Sequence, residues 1–196
     1  MLRVGIAAIL IVTLGGCSTW GADDGLGTEE LSAVESGYLS AVVDYGSIQF
    51  VPAARTIDSA VRHFEAERFA LAARDFESAL QSLPNEAVHG ASKLLVLDWL
   101  VRTSLAVDDY RTADVWQHAY HAIAKLSDSP AVKGRADFRL GCWHFILRDW
   151  NESLFDFERA IRHLESSDDL SVFDRKLLHL SPRLADEAGY RCESPW

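Results

Sequence analysis

The sequence predicts an all-α protein built from stacked helical hairpins, and three observations carry that prediction. An aromatic residue recurs at Phe69, Tyr110 and Trp150, spacings of 41 and 40, and each is followed three residues on by a small one, Ala72, Ala113 and Ser153. Helix breakers are few, with Gly 12 and Pro 5 in 196 residues, and the β-branched residues are scattered rather than alternating, which argues against a sandwich or barrel. Apolar residues make up 48% and charged residues 24%, so one domain of this length can bury a core without metal or disulfide staples. The balance of 19 Lys+Arg against 29 Asp+Glu, formally −10, with no basic run, excludes an electrostatic footprint for nucleic acid.

In chain order, residues 1–16 (MLRVGIAAILIVTLGG) carry one Arg, an apolar run from Val4 to Leu14 and then small residues. That run falls short of the roughly 20 residues a helix needs to cross a bilayer, and its anatomy is that of an export signal. Leu14-Gly15-Gly16-Cys17 resembles the lipobox of bacterial lipoproteins. The resemblance implies cleavage before Cys17, lipidation of its thiol and stable anchoring through several acyl chains. With Ser18 next instead of Asp, it further implies the outer membrane, with the protein facing the periplasm. Residues 17–27 are Gly- and Asp-rich without periodicity, a flexible tether. Residues 28–196 form one helical domain.

Thr28-Glu29-Glu30 is a helix-start signal, and Leu31, Val34, Tyr38, Val42 and Tyr45 make an apolar stripe behind it. Three repeats follow, at about 53–84, 86–126 and 130–165. Within them the small residues mark where paired helices approach closely, and Phe76 and Phe157 lie one turn beyond Ala72 and Ser153 on the same face. Residues 86–107 read as one extended helix, and Pro84 and Pro130 punctuate the boundaries. Residues 169–180 form an amphipathic helix that Ser181-Pro182 is expected to break, with a short helix over 183–190. Residues 168–196 and the 28–45 helix are expected to cap the array.

These segments resemble the tetratricopeptide repeat (TPR). ERFALAARDFESALQSLP matches its second helix nearly throughout, and Leu140-Gly141 supplies the pair typical of its first. The middle repeat departs, with Gln117 and Tyr120 where the pattern has an aromatic and an Ala, and the period exceeds the usual 34. The resemblance implies a short right-handed solenoid of about three hairpins with capping helices. It also implies a concave groove lined by the first helix of each repeat: Ile57, Val61, Phe64 and Glu65; Leu95, Asp98, Arg102 and Leu105; Phe138, Cys142, Phe145 and Ile146. That list is mostly apolar, suited to a hydrophobic partner segment or to filling by the chain's own ends.

Catalytic patterns are missing: there is no Gly-rich phosphate loop, HExxH, GxSxG or CxxC. His118 and His121, with Asp114 a turn earlier, are better read as polar surface residues than as metal ligands. His63 and His144 share a repeat position and read as packing residues with one nitrogen hydrogen-bonded. Asp23-Asp24, Asp108-Asp109 and Asp168-Asp169 read as turn builders. Once Cys17 is lipidated, Cys142 and Cys192 remain as a candidate disulfide in an oxidising compartment. No enzyme activity, cofactor beyond the lipid, nucleic acid or small-molecule substrate is expected. By resemblance, the role is protein–protein contact, like that of the pilotins and tight-adherence pilus lipoproteins that serve secretins and pilus assembly. The alternative is a scaffold that gathers peptidoglycan-remodelling enzymes.

Overall fold

The computed structural model describes residues 51–84 and 90–193. The expected signal, lipidation site, tether and 28–45 helix lie outside them. The described residues form seven helices and no strand: α1 (Val51–Glu65), α2 (Phe69–Ser82), α3 (Gly90–Leu105), α4 (Tyr110–Lys125), α5 (Pro130–Ile146), α6 (Trp150–Glu165) and α7 (Val172–Glu193). Each helix packs on the next along the chain, and α7 also reaches back to α5. The fold is therefore an all-helical, consecutive array.

Three of the connections are copies of one another. Helix α1 ends with Glu67 donating to Phe64 O (3.0 Å) and Arg68 to His63 O (2.8 Å); α3 ends with Asp108 to Leu105 O (3.1 Å) and Asp109 to Ser104 O (2.9 Å). Helix α5 ends with Arg148 to Phe145 O (3.1 Å) and Asp149 to His144 O (2.9 Å). This pairing satisfies the last carbonyls of a helix and needs one residue in the left-handed region. Glu67, Asp108 and Arg148 occupy it at φ 58, 57 and 61, although none is Gly. The aromatic anchors Phe69, Tyr110 and Trp150 each open the following helix. Each turn thus holds a non-glycine residue in a conformation that glycine would adopt without cost.

The small residues sit where the spacing places them: Ala72, Ala113 and Ser153 are fully buried. Ser153 also donates to Gly141 O across the α5/α6 contact (2.9 Å). A Cβ on Gly141 would lie 2.8 Å from the Phe157 ring, and one on Gly134 would lie 2.7 Å from Leu164 Cγ, so α5 and α6 touch at the limit of backbone approach. Pro130 occupies the first turn of α5, where a missing N–H costs nothing, behind Ser129 as N-cap (3.4 Å to Val132 N).

Pro182 does not break the last helix as expected; α7 runs through it. Ser181 donates to Leu177 O (2.7 Å) beside the proline. Leu177, Leu184, Ala185 and Ala188 are buried on both sides of it. Burying four apolar side chains outweighs the roughly 3 kcal/mol penalty of an interior proline.

Candidate functional site

The residues expected to line a groove are not exposed. Ile57, Phe64, Asp98, Arg102, Phe138 and Phe145 are buried, and Val61, Leu95, Leu105 and Ile146 are half-buried; of the wider set only Glu65 is exposed, and Cys142 is fully buried. Phe138 packs against Phe157 with ring centroids 5.6 Å apart, and Phe145 sits edge-on to Trp150 at 5.0 Å. Helices α3 and α5 are covered around nearly their whole circumference: α5 has no exposed residue, and α3 has only Ala91.

Two polar constellations are buried with them. In the first, Asp98 on α3 pairs with Arg102 one turn later (2.6 Å) and with Arg139 on α5. Arg139 also donates to Gln117 Oε1 (2.8 Å) and stacks over Tyr120 (4.3 Å), both on α4. Gln117 and Tyr120, the two departures of the middle repeat, are therefore the seat of a buried guanidinium. Such a charge persists only when it is paired and hydrogen-bonded.

The second constellation joins α4, α5 and α6. Asp137, 1% exposed, meets His121 Nε2 (2.6 Å), His163 Nδ1 (2.7 Å) and Arg159 Nε (2.6 Å). Arg159 also donates to Asp156 (2.6 Å), which in turn meets His144 Nδ1 (2.7 Å). Burial pushes the Asp137 carboxyl up, but these donors outweigh it and hold the carboxyl below the usual range. Hydrogen bonding to Asp156 raises the His144 imidazole above its ordinary value against the opposing effect of burial. At the third hairpin's outer edge, Arg135 grips Asp174 with two bonds (2.5 and 2.9 Å) and fastens α7 to α5. Burial would raise Asp174 too, yet Arg135 and Ser171 hold it low.

These arrangements pair charges across neighbouring helices. His118 and His121 do not converge: His118 is exposed beside Asp114 (3.5 Å), while His121 turns inward to Asp137. Among the described residues no group of His, Cys, Asp and Glu could hold a metal ion, and no helix is long and apolar enough to cross a membrane. His63 and His144 occupy equivalent sites and face equivalent carboxylates, Asp75 at 3.7 Å and Asp156 at 2.7 Å.

Cys142 and Cys192 are free thiols. Arg191, next to Cys192, lies over the Trp150 ring (5.3 Å), beyond the end of α5, whereas Cys142 sits inside the core. Burial pushes the Cys142 thiol far up, which suppresses the thiolate that disulfide exchange needs. Asp108-Asp109 does build a turn: Asp108 takes the left-handed position and Asp109 caps α4 through Thr112 N (3.0 Å).

Sequence reasoning missed Arg139, Asp137, Asp156, Arg159 and His163, because nothing local marks a pair whose members are separated by 22 or 41 residues. Comparison with family models, with curated proteins and with solved structures found no match.

Proposed function

We propose that the chain is a lipid-anchored, TPR-like interaction protein of the bacterial outer membrane, facing the periplasm. In this reading it assists the assembly or outer-membrane targeting of a pilus or secretion machine, in the manner of a pilotin. The observation that carries the interaction role is the thrice-repeated hairpin with its identical turn, which builds a stacked array of the kind that presents extended surfaces to protein partners. The anchoring role rests on Leu14-Gly15-Gly16-Cys17 at the end of a short apolar run. A lipid tether would raise the effective concentration of a bound partner at the membrane without any further contact.

Two experiments test this. In the full chain, Cys17→Ala should leave the helical domain folded and move the protein from the membrane to the soluble fraction; retention in the membrane fraction overturns the lipid anchor. Capture from detergent-solubilised envelope should then recover a secretin or pilus component. Recovery of cell-wall hydrolases in its place favours the scaffold role.

A further inference from the structure

The array has two edges, and one of them carries the turns inside the hairpins. Helices α4 and α5 pair antiparallel through Asp114–Trp143 (2.8 Å), Gln117–Arg139 (2.8 Å) and His121–Asp137 (2.6 Å). That register sets Tyr110, the first residue of α4, level with the end of α5 at Leu147. The Asp98–Arg139 contact joins residues equally far from Leu105 and Ile146, the last residues of α3 and α5, so the turns after those helices lie on one edge. Helix α7 arrives there with its C-terminal end, where Arg191 lies over the Trp150 ring (5.3 Å).

This edge exposes apolar and aromatic side chains: Val107 is 53% exposed, Tyr110 39%, Leu147 46% and Tyr190 65%. Val107 and Leu147 hold the same place in their two turns, each directly before the residue in the left-handed conformation. Asp108, Asp109 and Asp149 share the edge and are partly offset by the exposed Arg111 and Arg148. Among the described residues the opposite edge has another composition. Its connections, 126–129 (LSDS) and 166–171 (SSDDLS), are built mainly of Ser and Asp, and Leu126 and Val172 are the exposed large apolar residues there.

Side chains carried on turns project as tips, which suits a partner that yields around them. Aliphatic tips flanked by Tyr and Trp, whose rings have an apolar body and a polar handle, match the boundary between lipid headgroups and acyl chains. Arginine stems lie along apolar surface while their heads reach outward to phosphate. We propose that this edge rests on a phospholipid surface, with Val107 and Leu147 entering the headgroup boundary, Tyr110 and Tyr190 beside them, and the Ser/Asp edge turned to water. The contact deepens the membrane attachment proposed above and rests on it for bringing the domain to the bilayer. What it adds is an orientation, in which the helices stand away from the membrane on their turns.

Photolabelling tests the orientation. The unaltered full chain is reconstituted in vesicles of phosphatidylethanolamine with a minority of phosphatidylglycerol, carrying a phospholipid with a diazirine beside its headgroup. After flotation and photolysis, peptides holding Val107, Tyr110, Leu147 and Tyr190 should carry at least about 10-fold more label than those holding Leu126 and Val172. In Val107→Glu/Leu147→Glu the two edges should fall to near parity, with helical circular dichroism unchanged because both side chains are exposed. If that pair of charges unfolds the protein, Val107→Ser/Leu147→Ser is read in the same way and should lower the ratio at least about 3-fold. Equal label on both edges of the floated, unaltered protein overturns the orientation while leaving the anchor standing, and the strip then belongs to a protein surface. Label concentrated at Val115 and Phe155 overturns it as well, because the outer faces of α4 and α6 are then the lipid contact. A bias that survives the folded variant also counts against it. A chain that does not float with the vesicles overturns the anchor and the orientation together.

Discussion

In the third hairpin, Phe157 of α6 fills the seam against Gly141 of α5, and Ala160 leaves room one turn on. The equivalent places in the second hairpin hold Gln117 against Val101, with Tyr120 one turn on. The backbone turns are the same, and at the first of these places the volumes compensate, Val101 being larger than Gly141 and Gln117 smaller than Phe157. What does not compensate is polarity. Gln117 puts an amide where Phe157 puts a ring, and the amide oxygen is satisfied by Arg139 from the next hairpin. Arg139 in turn needs Asp98. One polar substitution in a dry seam thus commits three helices to a chain of buried partners, and it ties the second hairpin to the third more specifically than apolar contact does.

The comparison breaks most violently at Arg139. Arg139→Met should cost about 3–5 kcal/mol in urea unfolding, because Asp98 stays buried with half its neutralising partners and Gln117 loses its donor. The double variant Asp98→Leu/Arg139→Met should recover a large part of that loss, since an apolar pair replaces an ionic one. If the double variant is as unstable as the sum of its parts, the pair is not the coupled unit described.

The dry seam fails by crowding. Gly141→Ala places a methyl 2.8 Å from the fully buried Phe157 ring, and should cost about 1–3 kcal/mol even after the helix-propensity gain from removing a glycine. Gly189→Ala is the matched control: its Cβ would meet only Leu154 at 3.8 Å, so the same change there should be neutral or stabilising by up to about 1 kcal/mol. Thermal or urea unfolding of the two variants reads the difference directly.

The hairpins were legible because aromatic and small residues repeat on faces that must be buried, and burial has a period the sequence can show. Phe69, Ala72 and Phe76 are such a set, and so are Trp150, Ser153 and Phe157. The turns were less so, because Glu67, Asp108 and Arg148 hold a backbone shape that sequence normally announces with glycine. Pro182 misled for the opposite reason: a strong local signal was overruled by tertiary burial of Leu177 and Leu184. The polar network was illegible in principle. Asp98 and Arg102 were visible on the inner face, but His121, Asp137 and Arg159 lie on separate helices, and only the assembled array brings them together.

The smallest expected effect separates the same two hairpins by pH. The third pairs His144 with Asp156; the second has Ser104 and Trp116 at those places, so it has nothing to titrate there. Because the hydrogen bond to Asp156 raises His144 above its ordinary value, the stability it contributes is fully present below the unfolded-state value of roughly 6.5 and is lost as pH rises through the folded-state value. Asp137 and Asp174 are held low, so their contributions run the other way: present above the ordinary carboxylate range and lost as pH falls through their folded values. Stability should therefore peak between the two ranges. Desolvation of the imidazole opposes the hydrogen bond to Asp156, which keeps the decline on the alkaline side small. Urea midpoints from pH 5.5 to 8 check this: His144→Gln should remove that decline while leaving the acid limb, which belongs to the carboxylates, in place. A decline that survives the substitution would assign the titration to another group and remove this distinction between the hairpins.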